Sequence, residues 1–232
     1  MLGPIDYAVW LICMVAQVGV VVCAIATRSF RRYFTLNFYI LASLFLSLGR
    51  VFVLFRFGYT STQYFYFYYF SDALLTICLY LALTGLYAHV FDEMGAAKYL
   101  RVGAILLLAG TSLVSYLIVD SSRDRMLTRF VVELSQNLYF VGVVLTYLLW
   151  GAMLKLRETR TRLIQLVLAL GVYFSAFAGC YALRNLHPDW QIWRYVSHLM
   201  AIWLPVAWSY TFLKIPEEAR LATARLVATR SR

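Results

Sequence analysis

Four residues of this chain have types and positions that invite a chemical reading: Arg50, Asp72, Glu133 and His198. Each stands inside a long apolar run. An ionisable group there costs about 2.5–3.5 kcal/mol to insert at the centre of a membrane, and it persists where it pairs, binds or conducts. At about 1.5 Å of rise per residue, all four lie some 9–12 Å in from the same ends of their runs. Side chains at one depth on four helices can converge. This predicts an outward-facing polar pocket lined by Arg50, Asp72, Glu133, Asn137 and His198, extended by Arg129, Gln136 and Arg194. A structural reading competes with it. Arg50 can snorkel to headgroups or pair with Asp72, and Arg129 can pair with Glu133 four residues on.

Tyr68, Asp72, Thr76, Tyr80 and Thr84 recur every four residues, which predicts a polar stripe on one face of one helix. Such a face turns to protein or water rather than lipid, so this helix is expected at the centre of its bundle. The stripe serves either interhelical hydrogen bonding or a solute or proton path. Just ahead of it runs an unbroken series of seven aromatics, Tyr64 to Phe70. An interfacial belt accounts for them, but seven in succession point in all directions, so some must face the bundle, where a flat or lipidic ligand would meet them. His89, Asp92 and Glu93 fall at helical spacing, and a metal needs three or four ligands; they read as a polar helix end, and neither metal nor cofactor is expected. Cys13, Cys23, Cys78 and Cys180 sit singly in apolar runs and read as small buried hydrophobes. There is no HExxH, GxSxG or P-loop, and the last apolar run has no interior Lys to carry a retinal Schiff base. His198 and Asp72 could act as acid and base, but two residues do not define an enzyme.

The elements that must position these groups follow from composition. The 232 residues are 62% hydrophobic and 14% charged, with mean hydropathy +0.72; a soluble domain is nearer half apolar and a quarter charged. Seven apolar runs, at about 5–27, 34–55, 64–91, 102–119, 127–154, 163–183 and 192–213, each match the roughly 20 residues that span a bilayer. They predict an all-α polytopic membrane protein: one seven-helix domain over 1–215, followed by a basic tail over 216–232. No stretch is left for a soluble catalytic or nucleic-acid-binding domain. The net charge of +10 is divided among the loops and makes no patch for nucleic acid. Fourteen Lys and Arg fall on one side of the helices and seven on the other, and the richer side is expected in the cytoplasm. That places the N-terminus outside and the C-terminus inside. The first run has no basic residue ahead of it and is too long for a signal segment, so it reads as a retained helix. Pro205 is expected to kink the last helix. Pro216, Glu217 and Glu218 read as the start of a tail helix. Its Arg220, Arg225 and Arg230 would lie on the anionic inner leaflet or dock a membrane or cytoplasmic protein. Helices 1–3 and 5–7 share an orientation, so a parallel 3+1+3 repeat is available; a shift of 128 aligns Arg56 with Arg184 and Gln63 with Gln191.

The Tyr-Phe-Tyr run followed by an acid two turns into the third helix resembles a family of small bacterial seven-helix membrane proteins without a characterised function. So do the segment Tyr87 to Phe91 and the closing stretch from Ile202-Trp203 through Tyr210 to Pro216-Glu217. The resemblance implies a bacterial plasma (inner) membrane and the seven-helix plan; it brings no ligand and no catalytic residue. The N-outside plan also resembles the membrane sensor modules of bacterial signalling proteins, without their kinase or cyclase domains. The expected role is a non-enzymatic module that senses a ligand or assembles with a partner in the bilayer. The alternatives are a small-solute or ion carrier with its path along the third helix and, behind that, an intramembrane enzyme.

Overall fold

The computed structural model describes residues 4–91, 97–119, 126–156, 160–186 and 192–216. Seven helices account for almost all of them: α1 (Pro4–Ala26), α2 (Phe34–Phe57), α3 (Thr62–Val90), α4 (Ala97–Ile118), α5 (Met126–Lys155), α6 (Thr161–Leu186) and α7 (Ile192–Lys214). Five of them, in α1, α2, α3, α5 and α6, are long and apolar enough to cross a membrane. In α4 the apolar stretch is shorter, Val102–Ile118. The 23 residues of α7 rise about 34 Å, enough for a hydrocarbon layer of about 30 Å. The tail beyond Pro216, the acids Asp92 and Glu93, and Gln191 lie outside the described residues.

The surface is apolar and the polar residues are inside, as a lipid solvent demands. Leu11, Val15, Val18, Val22 and Ile25 form an exposed stripe down α1, and Phe45, Phe52 and Phe55 do the same on α2. Gln17, Asn37, Ser43, Thr76, Ser135, Thr146 and Arg162 are buried. Neighbouring helices close a ring in the order α1–α2–α3–α5–α6–α7, with α7 returning to α1. The remaining helix, α4, lies outside the ring against α3 and α5. Such a ring has the two-fold order that a 3+1+3 repeat would produce, but any six helices ringed in chain order have it too. The α3 helix touches α2, α4, α5 and α6, so the polar sequence stripe does mark the central helix.

Two kinds of contact hold the ring. The first is close approach at small residues. A Cβ on Gly142 of α5 would fall inside the ring of Phe174 on α6, and one on Gly85 of α3 would strike Thr35 of α2. The second is hydrogen bonding to backbone at helix ends. The α1 helix ends with Arg28 in the left-handed region, at φ 53°. The Ser29 N–H donates to the Ala24 carbonyl and the Arg28 N–H to the Ile25 carbonyl, the pattern of a Schellman cap. Asn37 donates to the Phe30 and Tyr33 carbonyls and secures the turn into α2.

Arg162, at the start of α6, knots that end of the bundle together. Its Nη1 donates to Ser29 Oγ at 2.7 Å, its Nε to the Ile215 carbonyl at 2.8 Å and its Nη2 to the Phe212 carbonyl at 3.4 Å. It thereby satisfies carbonyls that the end of α7 leaves without helical donors, while binding the α1–α2 turn. Arg160 does the same at α3, donating to the His89 carbonyl at 3.1 Å. In the sequence both arginines count only toward topology; in the fold they are staples.

Two outcomes are expected. Gly142→Ala should lower stability by about 1–3 kcal/mol, the usual cost of overpacking; Gly110→Ala on α4, with no atom within 4 Å of its Cβ position, should be neutral or slightly stabilising. Arg162→Met should lose about 1–3 kcal/mol for each group it leaves unpaired, while Arg56→Met, at the exposed end of α2, should change little. Thermal melts of the four purified variants in one detergent check both.

Candidate functional site

Near the end of the bundle where α1 and α3 begin, side chains leave the centre of the ring unfilled. A cavity of ≈900 Å³ runs down its middle, bordered by all six ring helices. Its upper wall includes Trp10, Tyr59, Tyr64 and Phe65, and its lower wall includes Tyr39, Leu79, Tyr139 and Tyr173. Below it the core is dense, with Leu36, Leu83, Leu86, Leu166 and Leu170 fully buried.

Arg50 and Asp72 both line this cavity. The guanidinium is well tied. Its Nε donates to Ser71 Oγ at 2.7 Å, its Nη2 donates to the Tyr68 carbonyl at 3.3 Å, and its Cζ lies 4.5 Å from the centre of the Tyr68 ring. The nearest carboxylate oxygen of Asp72 is 3.8 Å from Nη2, an ion pair too long to be a hydrogen bond. Asp72 keeps a third of its side-chain surface accessible, 33% against 16% for Arg50. Arg50 therefore supports the charge of Asp72 in an apolar setting without occupying its oxygens.

The other residues singled out from depth go elsewhere. Asn137 of α5 donates to Ser115 Oγ of α4 at 2.9 Å, on the far side of α5 from Tyr139, which lines the cavity. Glu133, one turn before Asn137, is half-buried and is not part of the cavity wall. The side chains of His198 and Arg194 lie outside the described residues. Equal depth places residues in one layer, but only helix rotation decides which of them meet.

The stripe on α3 divides for the same reason. Four residues turn a helix by about 400°, so each step of the stripe drifts about 40°. From Tyr68 to Thr84 the drift is about 160°, nearly opposite faces. Tyr68 and Asp72 line the large cavity, and buried Thr76 bonds back to the Asp72 carbonyl. Tyr80 instead donates to the Ala104 carbonyl of α4 at 2.8 Å. Tyr80 and Thr84 border a second, more apolar space of ≈580 Å³ between α2, α3 and α4. The shared face read from the four-residue spacing is thus not one face. Its upper half serves the cavity and its lower half holds α4.

The aromatic run sorts by helical rotation as well. Tyr64, Phe65, Tyr68 and Tyr69 border the cavity, Tyr66 and Phe70 are exposed, and Phe67 packs where a Gly49 Cβ would stand. His89 stacks on the Tyr33 ring at 5.1 Å, and its Nδ1 lies 2.9 Å from the Gly85 carbonyl.

Several cavity residues went unremarked in the sequence. Gln17 is the single amide within the apolar run of α1, and that signal was available. It is 8% exposed; its Nε2 donates to Ser43 Oγ at 2.8 Å, and its Oε1 has no protein partner. Tyr39, Tyr139 and Tyr173 carried no signal among 18 tyrosines. They come together only by packing, with Tyr139 and Tyr173 both stacking near Phe177, at 4.9 and 4.6 Å. Pro205 also borders the cavity, together with Ala201. Lacking an N–H, Pro205 withdraws the helical donor that the Ala201 carbonyl would otherwise receive.

Removing Arg50 should expose its partnership. Arg50→Leu should cost about 1–3 kcal/mol, less than the 3–5 of a fully buried pair because the cavity leaves Asp72 partly accessible. The double variant Arg50→Leu/Asp72→Asn should recover a substantial part of that loss. Simple additivity in a double-mutant cycle of melting free energies would exclude the coupling. No protein-family model, curated protein or solved structure matches this chain, so the site itself is the basis for reading its function.

Proposed function

We propose that this chain is a non-enzymatic ligand-binding module of the plasma membrane, with its N-terminus outside and its cavity facing outward. One observation carries the reading: a ≈900 Å³ cavity between six helices, walled by aromatic rings and holding a charged pair with an accessible carboxylate. Its size falls in the range of small-molecule sites, and so does its plan of apolar walls with a few placed polar groups. The cavity lies at the end of the bundle away from Arg28, Arg31, Arg32, Arg160 and Arg162, which under the positive-inside rule is the outer end.

Binding is favoured over conduction by what lies beneath. The cavity stops at a layer of fully buried leucines, and the polar side chains of α3 turn away below Thr76 rather than continuing as a path. A carrier would have to open that layer in a second conformation. An enzyme would need an acid–base or nucleophilic constellation, and the charged groups in the wall are a single pair. Output to a protein partner would pass through the arginine-stapled inner end.

The reading is tested with Ser47→Cys, on the cavity wall one turn from Arg50, in a chain whose Cys13, Cys23, Cys78 and Cys180 are replaced by Ala. A charged, membrane-impermeant thiol reagent added outside intact cells should label it. Phe45→Cys, on the lipid-facing side of α2, should stay unlabelled. Labelling of Ser47→Cys only in inverted vesicles would overturn the outward orientation, and none from either side would remove the accessible cavity.

A further inference from the structure

Of the charged pair in the cavity wall, the carboxylate is the more accessible member, 33% against 16% for Arg50. Asp72 offers a carboxylate that its arginine approaches no closer than 3.8 Å. Gln17 offers Oε1, buried and without a protein partner, while its amide nitrogen is spent on Ser43. The strongest donor in the wall, Arg50, is held by Ser71, the Tyr68 carbonyl and the Tyr68 ring. Those bonds use two of its five N–H groups, and its smaller exposure makes it the less approachable member of the pair. An arriving cation meets the more exposed carboxylate.

The walls point the same way. Tyr64, Tyr69, Tyr139 and Tyr173 border the same cavity as the carboxylate, and the faces of aromatic rings attract cations. A carboxylate within a ring of tyrosines is a setting for an ammonium group, which gains a charge-assisted hydrogen bond on one side and ring faces on the others. Resting on the reading of this cavity as a ligand site, we propose that its ligand is an organic amine bound as the cation, with Asp72 as its counter-ion. The Gln17 amide, on the same wall, meets a second polar group of the molecule. Ser43, the partner of Gln17, lies seven residues before Arg50 on α2, about 10 Å of helix rise deeper in the bundle. The site therefore has two polar levels with aromatic walls around them, which fits an elongated molecule with an apolar middle.

The test uses the full chain purified in detergent and three probes of one skeleton: 2-phenylethylammonium, 3-phenylpropionate and 2-phenylethanol. Binding is read from the ligand-dependent rise of the melting temperature. The ammonium probe should bind at least tenfold more tightly than the other two, the factor expected of a hydrogen bond to a charged group, and Asp72→Asn should abolish that preference. The comparison of probes on the unaltered chain stands even where Asp72→Asn fails to fold; Glu133→Gln, which removes an acid outside the cavity wall, should retain the preference. Equal binding of the alcohol, or tighter binding of the anion, overturns the amine assignment and leaves the cavity as a site of another class. Binding of none of the three, with Ser47→Cys still labelled from outside, also overturns it without touching the cavity. Loss of that labelling removes the cavity itself, and the amine assignment with it.

Discussion

The hydrocarbon of a bilayer supplies no water, and most of this structure follows from that. Every backbone N–H and C=O within the membrane must find a partner in the protein, which restricts the spanning segments to helices. Every polar side chain must do likewise or reach a water-filled space. Nearly all the buried ones bond across or along helices. Tyr87 reaches the Leu145 carbonyl of α5, Tyr80 the Ala104 carbonyl of α4, and Asn137 the hydroxyl of Ser115. Between helices that are already apolar outside, such bonds and close packing do the work that the hydrophobic effect does in water.

The two ends of the bundle meet this constraint differently. At the end with the α1–α2 turn, buried leucines fill the centre, helices approach closely at Gly85 and Gly142, and arginines occupy the exposed carbonyls of α3 and α7. A planar guanidinium suits that role because it offers several donors in a fixed fork. At the other end, large rings stand in place of leucines. Rings on α3, α5 and α6 stack on their own neighbours, as Tyr139, Tyr173 and Phe177 do, and hold the helices apart. The cavity persists because its walls are braced by one another rather than by a side chain at its centre.

Polar groups buried in a membrane protein are therefore of two kinds, distinguished by satisfaction. Asn137 and Arg162 have protein partners and hold the fold. Asp72 and Gln17 border the cavity and retain acceptors without a close protein partner, that of Asp72 accessible and that of Gln17 buried. The charged pair joins both kinds, since Arg50 is anchored by structure and Asp72 is left accessible. Residual capacity marks the site only where the residue also borders the cavity, since Asn37, Thr128, Ser135 and Trp208 each carry an unpartnered polar atom away from its wall.

The seven helices, their order and their membrane setting were legible in the sequence, because spanning a bilayer requires a length and an apolarity that five of the runs display by themselves and the other two approach. So was the centrality of α3, since a polar row on a membrane helix must face protein. Half of the site was legible too: Arg50 and Asp72 stood out because charge in hydrocarbon is costly wherever it points. The rest depended on rotation about helix axes. Glu133 shares a layer with Asp72 and Asn137 lies one turn deeper, yet both turn toward another part of α5's surface, and the α3 stripe wraps about 160° as its four-residue spacing outruns the 3.6-residue turn. Gln17, Tyr39, Tyr139 and Tyr173 come together from four helices. Only tertiary packing sets those rotations, because a side chain's azimuth has no energetic meaning until a neighbouring helix gives it one.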